Sequence, residues 1–177
     1  MAADAFVTQL NEQIAYEYAA HQQYVALAVY YDAETLPQLA RFFYRQALEE
    51  RDHAMMMVQY LIDADERVVI PGVAAPQAEF SNIVEPVTLA LQQERRVTDQ
   101  INALAGTARA ESDYTSEQFM QWFIKEQVEE VATMSDLLRV VERSRDDAME
   151  IENYMAREHS GGAPEDPTAP HPAGANA

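Results

Sequence analysis

The sequence predicts an all-α fold: a four-helix bundle with one long crossover between its second and third helices, followed by a short fifth helix. Three observations predict it. Ala, Leu, Glu, Gln, Met and Arg dominate the 177 residues, and before residue 160 the only glycines are Gly72 and Gly106; these are strong helix formers with few breakers. Apolar residues recur at alternating steps of three and four in four long segments, the mark of one buried stripe per helix. The connections between the segments are short, long and short.

The first helix is expected over about residues 5–33, with Leu10, Ile14, Glu17, His21, Tyr24 and Ala28 inward. The second starts near Leu36 and Pro37 and runs to about Asp63, with Leu39, Phe43, Gln46, Glu50, His53, Met57 and Leu61 on one line. Proline is tolerated in a first turn because its missing N–H would have no partner there. The third, about 83–110, carries Val87, Ala90, Glu94, Val97, Ile101, Leu104 and Ala108; the fourth, about 114–143, carries Met120, Phe123, Gln127, Glu130, Met134, Leu137 and Val141. A fifth, shorter helix is expected over roughly 146–158.

A few residues join helices one to two and three to four, which makes each pair antiparallel neighbours. Residues 64–82, with Pro71, Gly72 and Pro76, are too many for a tight hairpin. Extended at roughly 3.3 Å per residue, they can cross the ~40 Å length of a helix. Residues 1–159 thus form one domain, of a size that buries a real core. Residues 160–177 turn to Gly, Ala and Pro, with Pro164, Pro167, Pro170 and Pro172, and are expected to be a flexible tail.

With 30 acids against 12 bases, the formal net charge is −18. Nucleic acid and anionic membrane surfaces both require the opposite sign, whereas an acidic field gathers cations. Metal ions are the natural small partner. The absence of cysteine excludes disulfides and thiolate metal sites. Residues 1–10 lack the pattern of a secretory signal, and no apolar run approaches the ~20 residues of a membrane span. A soluble, cytoplasmic protein is expected.

Each inward stripe is interrupted mid-helix by residues that resist burial: Glu17; Glu50 and His53; Glu94; Gln127 and Glu130. A single mid-helix Glu ordinarily lies on a solvated face, and a lone Glu-x-x-His is common by chance. Here the spacing repeats. Glu17 to Glu50 and Glu94 to Gln127 are both 33 residues; Glu17 to His53 and Glu94 to Glu130 are both 36. All six residues therefore fall at one depth, ~25 Å from the turns at 1.5 Å per residue. Residues three apart share a helix face, so Glu50 with His53 and Gln127 with Glu130 can address one centre. Isolated buried carboxylates are too costly to keep without partners. Di-metal bundles solve this with one Glu on each of two helices and Glu-x-x-His on the others. Oxygen-rich ligation with one imidazole suits iron or manganese.

On these residues the chain resembles the bacterial non-haem ferritins, over nearly all of positions 5–158. The likeness is carried by Leu10-Asn-Glu-Gln with Glu17, by Tyr24, by Glu49-Glu50-Arg-Asp-His53, by Gln93-Glu94, and by Phe119-Met-Gln-Trp-Phe with Glu126-Gln127-Val-Glu129-Glu130. The resemblance implies a ferroxidase that stores iron as a ferric mineral in a 24-subunit homo-oligomeric cage, with Fe(II) and O2 or H2O2 as substrates. It implies that Glu17, Glu50 and His53 hold a first iron, and that Glu50 bridges to a second held by Glu94 and Glu130. Gln127 becomes an amide beside the pair. Tyr24 becomes a neighbouring electron donor, the alternative being a core tyrosine with a satisfied hydroxyl. Glu49, Glu126 and Glu129, by themselves a solvated acidic patch, become a third iron site sharing Glu130. Trp122 matches a family position that packing explains equally well. Glu117 is a channel residue by the same analogy, or a charge favoured by the helix dipole.

Two departures from the sister bacterioferritins point away from haem. Those proteins repeat Glu-x-x-His in the fourth helix, where this chain has Gln127 and Glu130. Their haem-ligating methionine directly follows the second-helix glutamate, where this chain has Arg51. Met55, Met56 and Met57 read as core filling. The alternatives are another di-iron or di-manganese bundle, such as a rubrerythrin-like peroxidase or an oxygenase component, and an inactive metal-buffering cage. No CxxC signature supports the first. His159 and His171, at the edge of the tail and within it, read as incidental.

Overall fold

The computed structural model describes residues 2–161 and 166–175; Met1, residues 162–165 (with Pro164) and the last two residues lie outside this description. The described residues form five helices: α1 (Asp4–Ala33), α2 (Pro37–Asp63), α3 (Glu85–Ala110), α4 (Tyr114–Arg143) and α5 (Ala148–Glu158). No strand occurs among the described residues. The predicted bundle and its fifth helix are thus observed. α1 packs on α2 and α3 on α4 as antiparallel hairpins. The crossover carries the chain back along the bundle, so that α3 starts beside the end of α1: Tyr31 Oη donates to Ile83 O at 2.6 Å.

The inward stripes match the expected lines on α2, α3 and α4 at every named position. On α1 the exception is His21, which is half-buried. Its Nδ1 lies 2.6 Å from Ala47 O, at the seam with α2.

Three helices end the same way. Thr35, Asp65 and Ser112 adopt left-handed backbone, with φ of 61°, 58° and 59°. Each closes a reversal in which the residue after it donates to the carbonyl five back, as Leu36 N does to Tyr31 O and Asp113 N to Ala108 O (2.9 Å each). Glycine usually fills that position; this glycine-poor chain does without.

Crossover and ends are pinned by polar side chains. Asn11 donates to Arg67 O and accepts from Val69 N, at 3.1 and 2.7 Å. Gln23, further along α1, donates to Gln77 O and accepts from Gln77 N, at 2.8 and 2.9 Å. Two amides thus bracket the crossover against α1. Asp113 caps α4 through Ser116 N and also accepts from Ala3 N at 2.9 Å, joining the starts of α4 and α1. On α5, the buried Glu152 accepts from Gln38 N and Leu39 N at 2.8 and 3.0 Å, a carboxylate on the positive end of α2. Glu117 is gripped by Arg109 Nε and Nη2 at 2.8 and 2.6 Å.

Residues 166–175 lie against α2 and α4. Asp166 Oδ2 accepts from Trp122 Nε1 (3.2 Å) and Lys125 Nζ (3.0 Å), Ala173 N donates to Met55 O (3.0 Å), and Ala169 and Ala173 pack on the core around Met57 and Phe123. One carboxylate, one backbone N–H and two methyl groups make these contacts, which is why the composition carried no periodic signal for them.

A β-branched residue held left-handed at Thr35 is under strain. Thr35→Gly is expected to raise stability by about 0.5–1 kcal/mol, the relief exceeding the added freedom of the unfolded chain. Urea unfolding monitored by circular dichroism checks this; an unchanged or lower midpoint contradicts it.

Candidate metal centre

The apolar core is two clusters. One gathers Tyr24, Leu27, Tyr31, Phe43, Val87 and Met134 toward the α5 end; the other gathers Phe6, Leu10, Ile14, Met57, Ile101 and Phe123 toward the opposite end. Between them lies a buried polar layer containing all six interrupting residues, each at most 6% exposed, together with Gln13, Gln46 and Gln93. Equal distance from the two hairpin turns places both hairpins' polar residues in this one layer.

Glu17, Glu50 and His53 come together most tightly: each offers a ligand atom, and these lie within 4.8 Å of one another. His53 Nδ1 is 3.6 Å from Glu50 Oε2 and 4.0 Å from Glu17 Oε2. Its ring is held edge-on by Trp122 and Phe123, with centroids 5.6 and 5.9 Å away. Glu17 Oε2 and both Glu50 oxygens are buried and find no hydrogen-bond donor among the described residues. Glu17 Oε1 accepts from Gln13 Nε2 at 2.8 Å.

Across the layer, Glu94 accepts a short hydrogen bond from the fully buried Tyr24 hydroxyl. Gln127 Nε2 lies 3.4 Å from Glu94 Oε2, its amide oriented by the Thr98 hydroxyl, which donates to Gln127 Oε1 at 2.9 Å. Glu130 Oε1 is 3.4 Å from Gln46 Nε2. Among the described residues no lysine or arginine pairs with Glu17, Glu50, Glu94 or Glu130.

The electrostatic consequence is uniform in direction. Burial pushes the Glu50 carboxyl well above its usual range, and the charges of Glu94 and Glu17 push it further. Burial, then Glu94 and Glu49, do the same to Glu130. Burial raises Glu94 to about 7, against the hydrogen bond from Tyr24. The Tyr24 phenol is itself driven up by burial and by Glu94, Glu50 and Glu130. Such a group of acids has the chemistry to hold a cation: the carboxylates repel one another, and positive charge between them would remove the penalty.

Glu49, Glu126 and Glu129 do not close into a tight cluster of this kind among the described residues. Glu49 and Glu126 are half-buried and Glu129 is exposed. They share the lining of a cavity of about 270 Å³ with Gln46, Glu130 and His159. The Glu126 carboxyl is raised by burial and by Glu129 and Glu49, with His53 opposing. A second cavity, of about 350 Å³, lies between the same three acids, His53, Trp122 and Asp166.

Of the groups that orient the carboxylates, Gln127 is foreseen from the sequence, whereas Gln13, Gln46 and Thr98 carry no role there. Gln13 stands four residues before Glu17 on the same face, a signal the periodicity did contain; Gln46 was on the α2 stripe without an assigned role. Thr98, reaching across helices, left no sequence mark. Arg51 is half-exposed and paired with Asp52 at 2.8 Å.

Comparison with known proteins agrees with this geometry. The ferritin-like domain family matches residues 7–144. Mycobacterium tuberculosis has a relative named ferritin BfrB in one strain and bacterioferritin BfrB in another; it is 54% identical over 96% of this chain and 93% of its own length. A bacterial non-heme ferritin of Staphylococcus epidermidis is 36% identical over 87% of this chain and 93% of its own. Among solved structures, an open-pore ferritin from Archaeoglobus fulgidus superposes with a TM-score of 0.84 at 27% identity, covering 88% of this chain and 98% of that one. A humanized archaeal ferritin gives 0.85 at 25% identity, covering 89% and 96%. With its fold, its buried carboxylate layer and these relatives in agreement, this chain belongs to the ferritin family.

Proposed function

We propose that the chain is a cytoplasmic iron-storage ferroxidase: it oxidises Fe(II) in the buried layer and holds the ferric product as a mineral within a homo-oligomeric cage of 24 subunits. The observation that carries the reading is the set of buried carboxylate oxygens at Glu17 and Glu50 without donors, beside His53. Glu17, Glu50 and His53 take one Fe(II). Glu50, with both oxygens free, bridges to a second held by Glu94 and Glu130. Hard anionic ligands favour Fe(III) over Fe(II), so electron loss becomes easier once both ions are bound. Two Fe(II) supply the two electrons that reduce O2, with two protons, to hydrogen peroxide, or hydrogen peroxide to water. Tyr24, hydrogen-bonded to Glu94, orients that carboxylate toward the second ion. Gln127, braced by Thr98, leaves an amide N–H beside the pair. Glu49, Glu126 and Glu129, with Glu130, take a third iron in the adjoining cavity and pass product onward.

Haem has no part in this reading: Arg51 stands next to Glu50 where bacterioferritins carry methionine. No helix among the described residues is long and apolar enough to cross a membrane, and the acidic surplus suits cation uptake rather than nucleic acid. Apolar side chains exposed on the helices, such as Val29, Leu48, Ile62 and Val128, need covering of the kind a shell supplies.

Glu50→Ala is expected to slow the first aerobic turnover, read as ferric absorbance after mixing with two Fe(II) per chain, at least about tenfold. Wild-type rates in that variant contradict the assignment.

The electrostatics give a second outcome. Glu94 and Glu50 keep their protons in the folded, ion-free chain at pH values where the unfolded chain has lost them. The folded state therefore binds more protons, and stability falls as pH rises from about 4.5 through the folded pKa, for Glu94 about 7. Ions bind the ionised carboxylates, so their stabilisation grows over the same window. The melting temperature of ion-free protein should drop between pH 5 and 8, less steeply in Glu94→Gln, while redox-inert Zn(II) should remove the drop. Parallel curves with and without zinc contradict this.

A further inference from the structure

Gln46 stands between the buried layer and the acidic cavity. It is 5% exposed, three residues before Glu49 and four before Glu50 on α2. Its single side-chain nitrogen faces two carboxylates at once: it gives Glu49 a short hydrogen bond and lies 3.4 Å from Glu130 Oε1. Its carbonyl oxygen is buried and has no partner among the described residues. Only the nitrogen end is held, against Glu49 and Glu130 together.

The two ends of an amide have nearly the same shape and opposite polarity. Rotation by half a turn about the last side-chain bond exchanges donor for acceptor without moving α2. In the ion-free chain the hydrogen bond to Glu49 fixes the NH2 end toward the pair, because the carbonyl there would face a carboxylate oxygen. An ion between Glu49 and Glu130 reverses that preference: the NH2 end is now the repelled one, and the orphaned carbonyl gains a partner.

We propose that Gln46 is a two-position ligand for the ion shared by Glu49 and Glu130. Its nitrogen holds the pair of carboxylates open when the position is empty, and its carbonyl oxygen completes the site when an ion arrives. The passage from the buried pair to the cavity then runs by way of Gln46, which adds no charge to an already crowded acidic region. This rests on the reading of Glu49, Glu126 and Glu129 as a third iron site.

Anaerobic calorimetric titration with Fe(II) tests it in the assembled protein, for wild type, Gln46→Met and Gln46→Glu. Methionine matches the length and can neither donate to the carboxylates nor offer an oxygen. Glutamate offers oxygen in both positions and cannot donate when ionised. The expected result is two tight ions per chain unchanged within about twofold in all three, with the third weakened about tenfold in Gln46→Met and tightened in Gln46→Glu. Later turnovers should slow in both variants, through a poorer exit site in one and a stickier one in the other. A third ion bound by wild type and equally by both variants overturns the role of Gln46 alone. A wild type that binds only two ions overturns the third site and this proposal together. Loss of the two tight ions in both variants, with the assembly intact, shows Gln46 to be a support of the whole layer and overturns it as a ligand.

Discussion

Four glutamates lie in the middle of a helical bundle with no lysine or arginine paired to them among the described residues, and the mutual repulsion and desolvation of these carboxylates is the constraint to which the rest of the structure answers. It divides the apolar core into two clusters, since no hydrocarbon can close over the layer without trapping charge. It raises every shifted acid in the layer in the same direction. It also explains why so many neutral amides surround the acids. Gln13, Gln46 and Gln127 each donate to a carboxylate without neutralising it, so the layer is oriented but stays hungry for cations.

The scaffold bears that cost through contacts at its periphery. The tightly packed clusters above and below supply burial, Glu152 and Asp113 tie helix starts to other elements, and Asn11 and Gln23 pin the crossover. These contacts lie at the ends and flank of the bundle, away from the acids. A protein that keeps an unneutralised site trades stability for function, and here the trade is confined to one layer about halfway along the helices.

Much of this was legible in the sequence because it is periodic. The stripes of α2, α3 and α4 fall on the residues a three-and-four step selects, and the repeated 33/36 spacing assigns Glu17, Glu50, His53, Glu94, Gln127 and Glu130 to one depth before any coordinate is known. What was not legible is what depends on single contacts. The bracketing of the crossover by Asn11 and Gln23, the bracing of Gln127 by Thr98 and the docking of Asp166 on Trp122 and Lys125 each rest on one side chain meeting one group. No repeat announces such a meeting. His21 was misplaced for a related reason: it falls on the α1 stripe, yet its ring turns to Ala47 O at the seam with α2 and stays partly in solvent. The acidic patch of Glu49, Glu126 and Glu129 is intermediate. Its helical register was readable, but its relation to the buried layer passes through Gln46.

The most direct test of a cation site built from uncompensated carboxylates is to see where ions go. Crystals of ion-free protein soaked anaerobically in Fe(II) and measured on both sides of the iron absorption edge would give an anomalous difference map free of other scatterers. Two strong peaks per chain are expected inside the bundle, one among Glu17, Glu50 and His53 and one among Glu50, Glu94 and Glu130. Peaks confined to exposed surface acids, with the buried layer left empty, would contradict it.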